Sequence, residues 1–325
     1  MARNISFIKA VREAFQEEMR RDQSVIVLGE DVRAGIFATT SGLVDEFGEK
    51  RVFNTPICES AFVGVGMGAA IANLKPIVQI MFSDFCYMAM EIIANQAGQW
   101  HYLSDGKLQV PMVIEAPSGA RGGAGYGHSQ SIEATFMYPP GLKVVVPSNP
   151  YDAKGLFKSA VRDNNPVLFF EHRRLLTMKG DVPEEEYLVP LGKAKVCREG
   201  SDCTIVAVGR MVHEAMAAAE ILAQENISVE IIDPRTLVPL DEDLIFTSLK
   251  KTYHLVITEE GRKRSGFGAE LSALAAEKWF GYLDAPIKRV ATPSLPLPYS
   301  PILEKALIPD SLMIAEAVRN SLAGE

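Results

Sequence analysis

Short, continuous runs of aliphatic and β-branched residues alternate along this chain with longer segments whose apolar residues recur at helical spacing. No other feature restricts the fold as tightly. Val25 to Leu28, Ile77 to Met81, Met112 to Glu115, Val144 to Val146 and Val167 to Phe170 are too short for helices and too uniformly apolar for strands with one wet face. Such runs are strands buried on both sides, as in a parallel sheet covered by helices. Between them, Ile5, Ile8, Val11, Phe15 and Met19 mark one face of a first helix, Glu59 opens another, and further helices are expected over Tyr87 to Trp100 and near Ala153 to Arg162. The first half therefore reads as α/β.

The alternation lapses from Leu175 to Gly200, where Asp181, Pro183, Glu184 to Glu186 and Pro190 form a polar, proline-punctuated connection. It then resumes with strands at Thr204 to Val208, Val229 to Ile232, Leu255 to Thr258 and Ile287 to Val290. Helices at Val212 to Gln224, Glu242 to Lys250 and Gly268 to Trp279 separate them. A chain of 325 residues exceeds one typical domain, so the expected division is a domain over 1–180, a linker over 181–199 and a smaller α/β domain over 200–325.

Composition removes several classes of function. A net charge of -8 argues against a general nucleic-acid binder. Cys58, Cys86, Cys197 and Cys203 form no Cys-x-x-Cys pair, which fits a reducing compartment, and a cytoplasmic location is expected. The apolar run from Ala61 to Ile71 is interrupted at Asn73 and Lys75-Pro76 before it could cross a bilayer, and Met1 to Lys9 has no signal-peptide core.

Chemistry is concentrated at a few places. Thr55-Pro56 ends an extended segment, and a helix rich in small residues follows, so Glu59 stands at a turn beside Ile57, Cys58, Ala61 and Phe62. A carboxylate in such surroundings loses water and becomes a functional candidate; the alternative is an acid satisfied by free N–H groups at a helix start. After the Met112 to Glu115 strand come five glycines in the nine residues from Gly119 to Gly127, then His128. A glycine-rich loop lets ligands approach the backbone, and the carboxyl ends of parallel strands are where ligands bind, so His128 is a candidate proton donor or acceptor. Phe85, after the Ile77 to Met81 strand, could stack on a planar ring or belong to the core. The turn from Ala160 to Pro166 could hold a monovalent cation or only cap a helix. Gly64, Gly66 and Gly68 lie inside a helix rather than after a strand, so they suit close packing and not a dinucleotide fingerprint.

Several stretches together resemble one family. They are Leu28-Gly29-Glu30-Asp31-Val32, Asn54-Thr55-Pro56-Ile57-Cys58-Glu59, His128-Ser129-Gln130-Ser131, Pro140 to Pro147, Asn149 to Leu156 and Ile232 to Leu240. In that order, nearly end to end, the chain is similar to the β subunit of the thiamine-diphosphate-dependent decarboxylating component of 2-oxo acid dehydrogenase complexes. The resemblance implies a pyrimidine-binding parallel-sheet domain followed by a transketolase-type C-terminal domain. It also implies assembly with an α subunit as a heterotetramer, and transfer of an acyl group from a 2-oxo acid, or from acetoin, to a lipoyl-bearing acyltransferase. By position, Glu59 resembles the glutamate that hydrogen-bonds the pyrimidine ring nitrogen, Phe85 the aromatic that stacks on that ring, with Ile57 and Met81 beside it, and His128 the active-site histidine. Met112, Ala160, Val161, Asp163 and Asn165 match a potassium site of some members.

Thiamine-diphosphate enzymes hold the diphosphate through Mg²⁺ with a Gly-Asp-Gly followed by Asn-Asn, and here Gly180-Asp181 runs into Val182-Pro183. The resemblance thus assigns the diphosphate half of the cofactor and the Mg²⁺ to the α subunit. Gly127 stands before His128 where many pyruvate-type members have glutamine, and Ser265 stands where glycine is usual. The segments around His128 and Asn149 lean towards different substrates, so the substrate stays open. A subunit of a split transketolase, or a non-catalytic subunit, are the alternatives.

Overall fold

The computed structural model describes residues 2–325. They separate into two compact units, one running to Ser118 and resuming over Phe136–Leu191, the other made of Gly119–Thr135 and Gly192–Glu325. The glycine-rich segment is thus encoded inside the first unit but packs with the second.

The first unit starts with β1 (Ala2–Ser6), α1 (Phe7–Arg21), β2 (Val25–Gly29), α2 (Leu43–Phe47), β3 (Val52–Asn54), α3 (Glu59–Ile71) and β4 (Lys75–Gln79). After α4 (Trp100–Leu103) come β5 (Val113–Ser118), β6 (Lys143–Val145), α5 (Pro150–Val161), β7 (Val167–His172) and β8 (Lys179–Pro183). Strands pair in parallel in the order β6, β7, β5, β4, β2, β3, as the continuous apolar runs require. The core gathers Phe7, Val11, Phe15 and Met19 of α1 with Leu156 and Phe157 of α5 against Val27, Ile77, Val113 and Phe169. Ile5 lies in β1 rather than on the first helix, because the Ser6 side chain caps α1 by accepting from the Lys9 N–H.

Two other expectations change. The stretch expected as one helix over Tyr87 to Trp100 is a 3-10 helix at Ser83–Ala89, a π-helix at Glu91–Ala97 and then α4. Ile93, Ala94 and Ala97 are still buried: apolar spacing reports which face is covered, not the hydrogen-bond period. The polar connection after Leu175 contains β8, which pairs antiparallel with β1, Ala2 opposite Pro183. A pairing between residues so far apart leaves no trace in a local pattern.

The second unit contains β9 (Lys195–Arg198), β10 (Cys203–Ala207), α6 (Met211–Ala223), β11 (Val229–Asp233), the short β12 (Thr236–Val238) and α7 (Glu242–Thr252). It continues with β13 (Leu255–Arg262), α8 (Phe267–Lys278), β14 (Lys288–Thr292), α9 (Pro301–Leu307) and α10 (Ser311–Leu322). The sheet order is β14, β13, β10, β11, β9, parallel except for the antiparallel edge strand β9. Both units are α/β.

Candidate active site

Glu59 is the first residue of α3, after an extended Cys58 with φ −161°. Gly66 seats the helix on the sheet, since a Cβ there would come within 2.5 Å of Val78 Cγ2. The expected enclosure of Glu59 is not found within this chain: Ile57 is 72% exposed, Cys58 and Ala61 are exposed, and only Phe62 is buried. The helix is apolar on all sides, but only one of its faces meets the sheet, and Ser60, Ala61, Val65 and Gly68 face outwards. A Cβ on Gly64 or Gly68 would meet nothing outside the helix within 4 Å among the described residues, so the packing role expected of the glycines holds for Gly66 alone.

The Glu59 carboxylate is half-buried and accepts no hydrogen bond among the described residues. Its charge reaches two neighbours. The Glu30 carboxyl, at the end of β2, is raised by burial and then by Asp31 and Glu59; the Cys86 thiol is raised by burial and then by Asp84 and Glu59. Phe85 lies on the 3-10 helix that packs against α3, and the Ser60 hydroxyl donates to the Met88 carbonyl of the same segment. The Phe85 ring meets Phe82 edge-on at 5.8 Å, and Phe82 meets Phe37 at 5.3 Å. Met81 stands half-buried between β4 and that 3-10 helix. Glu59 and Phe85 are thus brought together on neighbouring elements, with Ile57 and Met81 on the turns that enter those elements.

Sequence reasoning passed over a second acidic group in this unit. Glu115 on β5 and Glu171 on β7 both have no exposed surface. Gln79, the last residue of β4, donates from Nε2 to Glu115 at 2.6 Å and to Thr39 Oγ1 at 2.8 Å, and Thr39 donates to Glu115 at 3.1 Å. Among the described residues, no N–H or hydroxyl donor meets either Glu171 oxygen, which leaves a proton shared with Glu115 as the bond between the two carboxyls. Burial raises both carboxyls, and the charge of Glu115 raises Glu171 further, well above the ordinary glutamate range. Two such neighbours are compatible with burial when they share a proton. The signal in the sequence is an acid closing an apolar run, Val-Ile-Glu and Leu-Phe-Phe-Glu.

The turn after α5 draws together the residues expected around a cation. Asp163 donates from its N–H to the Ala160 carbonyl at 3.2 Å, Asn165 donates to Asp163 Oδ1 from its N–H at 2.9 Å and from Nδ2 at 3.1 Å, and Val167 donates to the Met112 carbonyl at 2.9 Å. Lys143 forms an ion pair with Asp163. The carboxylate therefore already has a cation, and any metal here would be held by main-chain carbonyls. The Gly180-Asp181 step lies in β8, with Asp181 accepting from Asn4 at 3.1 Å.

His128 belongs to the second unit and is exposed; its N–H donates to the Gly125 carbonyl at 3.3 Å. The loop that carries it is anchored repeatedly. Glu260, on β13, accepts from the Ala120 N–H at 2.7 Å and from Arg210 at 3.1 Å. Arg262 donates to the Gln130 side chain at 3.1 Å. Gly122 and Gly123 donate their N–H groups to Glu304 at 2.7 and 2.8 Å.

Comparison with known proteins supplies the wider setting. The family described as the transketolase pyrimidine-binding domain matches residues 3–179, and that described as the transketolase C-terminal domain matches residues 192–314. The chain is 46% identical to an acetoin:2,6-dichlorophenolindophenol oxidoreductase subunit beta of Bacillus subtilis, over 95% of this chain and 94% of that protein. It is 44% identical to a 2-oxoisovalerate dehydrogenase subunit beta of the same organism, covering 97% and 98%. A pyruvate dehydrogenase E1 component subunit beta of Gracilaria tenuistipitata is 46% identical over 96% and 97%. Among solved structures, an inactive β4 tetramer of a split-gene transketolase superposes with a TM-score of 0.83 at 24% identity, covering 98% of this chain and 99% of that one, a likeness of fold.

Proposed function

Because the chain belongs to the family of β subunits of thiamine-diphosphate-dependent 2-oxo acid and acetoin dehydrogenases, we propose that Glu59 and Phe85 receive the pyrimidine half of the cofactor and that an α subunit completes the site. The observation that carries this reading is the Glu59 carboxylate, held half-buried at the start of α3 with no donor among the described residues. A carboxylate so placed can take a hydrogen bond from a protonated ring nitrogen and keep the proton there. Phe85 offers a ring for stacking, and Ile57 and Met81 supply apolar walls. When bound, thiamine diphosphate supplies a carbon nucleophile and an electron sink for decarboxylation. The residues of this chain orient the ring, hold its proton and keep water away.

The absence of Gly-Asp-Gly supports giving the diphosphate half and its Mg²⁺ to the α subunit, in a heterotetramer. The uncovered apolar side of α3 suits such a partner. His128 is proposed to serve the later transfer of the acyl group to the lipoyl group of an acyltransferase, where an imidazole can both donate and accept a proton. The substrate is a 2-oxo acid or acetoin. We further propose a potassium ion on the carbonyls of Met112, Ala160, Val161, Asp163 and Asn165. The isolated chain should then melt several degrees higher in potassium chloride than in sodium chloride of equal strength, and coincident melting curves would remove the ion.

Glu59→Gln tests the central assignment. It keeps size and position but weakens the hold on the ring proton, so turnover should fall by about two to four orders of magnitude, the scale of one acid-base contribution, with assembly intact. Exchange of the cofactor's acidic ring proton, followed by NMR, should slow in parallel. Exchange as fast as in wild type would return Glu59 to a structural role.

A further inference from the structure

The His128 loop is not merely glycine-rich: it is docked on a specific seat in its own unit. Gly122 and Gly123 have φ values of +80° and +93°, which turns their successive N–H groups to the same side, and Glu304, with no exposed surface, accepts from both. A Cβ on Gly123 would come within 2.4 Å of the Tyr299 carbonyl, and one on Gly125 within 2.4 Å of the Tyr299 ring. The ring of Tyr126 meets that of Tyr299 edge-on at 6.3 Å. Just before these contacts Ala120 is buried in a small apolar cluster with Leu297 and Ile308. The loop backbone therefore lies against residues 297–308 along its length, and the Gly125 carbonyl it fixes receives the His128 N–H.

We propose that the segment Tyr299–Glu304 is the positioning element for His128, with Glu304 as its principal positioning residue. This rests on the role proposed above for His128. A carboxylate suits this position because each of its oxygens takes one N–H, and the pair of bonds fixes both the place and the tilt of the turn. Because Glu304 has no exposed surface, loosening the turn takes two N–H donors from a carboxylate that water does not reach. Glutamine cannot replace it, because one end of an amide would point its own N–H at a backbone N–H.

The test uses the complex assembled with its α partner. Glu304→Gln alters the seat; Gly123→Ala lifts the loop from Tyr299 and keeps the Glu304 carboxylate, which guards against a variant that misfolds around residue 304. Hydrogen–deuterium exchange is read on peptides spanning 119–130, together with two rates on whichever of pyruvate, 2-oxoisovalerate and acetoin the wild type turns over: acyl transfer to free lipoamide, and decarboxylation or cleavage with an artificial electron acceptor. Both variants should speed exchange in 119–130 while peptides from α6 and α10 stay protected. Both should lower the ratio of lipoamide transfer to the acceptor rate about tenfold, because a small displacement of a reacting group is costly. Unchanged exchange overturns the docking, and faster exchange with an unchanged ratio overturns the positioning role. If the wild-type assembly catalyses neither reaction, it is the proposed function that fails, and the exchange result alone then decides the docking.

Discussion

Glu115 and Glu171 lie diagonally on the neighbouring strands β5 and β7, Glu115 pairing with Phe169 and Glu171 with Pro117, with water excluded from both. A pair of this kind stores a proton that the unfolded chain, with ordinary carboxyls, releases near pH 4.5. Folded pKa values raised above the unfolded ones mean that the stabilisation is complete below that pH and is lost as pH climbs towards the folded values. The loss amounts to about 1.4 kcal/mol per pH unit for each proton held only by the folded form. Glu171→Gln should therefore gain stability relative to wild type as pH is raised from 5 to 9, because the amide can donate to Glu115 permanently where the carboxyl must keep a proton to do so. Chemical denaturation of both proteins across that range measures the divergence. Curves that stay parallel would show that the pair does not share a proton.

At the scale of elements, α3 has two kinds of glycine. Gly66 is pressed on Val78, whereas Gly68 looks into open space. Gly66→Ala should cost about 1–3 kcal/mol through overpacking of the helix on β4. Gly68→Ala should stabilise the isolated chain by about 0.5–1 kcal/mol, since alanine is the better helix former. Urea melts of the two variants give the comparison, and equal effects would mean that the helix does not rest on the sheet through Gly66. The same helix marks how far sequence could be followed. Its existence, its start at Glu59 and the strand beneath it were legible because apolar runs and a proline turn are local signals. Which side of it is covered was not, because an all-apolar helix carries no direction. The Glu115–Glu171 pair escaped notice for a related reason: each acid closes an unremarkable run, and only strand order makes them neighbours. The β1–β8 pair and the docking of loop on Glu304 join positions well over a hundred residues apart, beyond any local pattern. The seat of the His128 loop is the largest element of the candidate site that had no signature in sequence.

For the whole molecule, half a cofactor site should mean half a binding energy. Calorimetric titration of thiamine diphosphate with Mg²⁺ into the isolated chain should give weak or unmeasurable binding, and the assembled α and β chains should bind it at least about a hundredfold more tightly, a difference of ~2.7 kcal/mol. Tight, Mg²⁺-dependent binding by this chain alone would contradict the division of the site. The interleaving of the two units adds a constraint in time. The ribosome makes Gly122 and Gly123 long before Glu304, to which they bind; at ordinary elongation rates the delay is roughly ten to forty seconds. Throughout it the nascent glycine turn waits without Glu304, while β5 before it and β7 after it can already pair. A chain interrupted shortly before Glu304 would already carry Glu260 and Arg262, which hold Ala120 and Gln130, but not the carboxylate that holds Gly122 and Gly123, so the glycine turn would be the last part of the loop to be fixed.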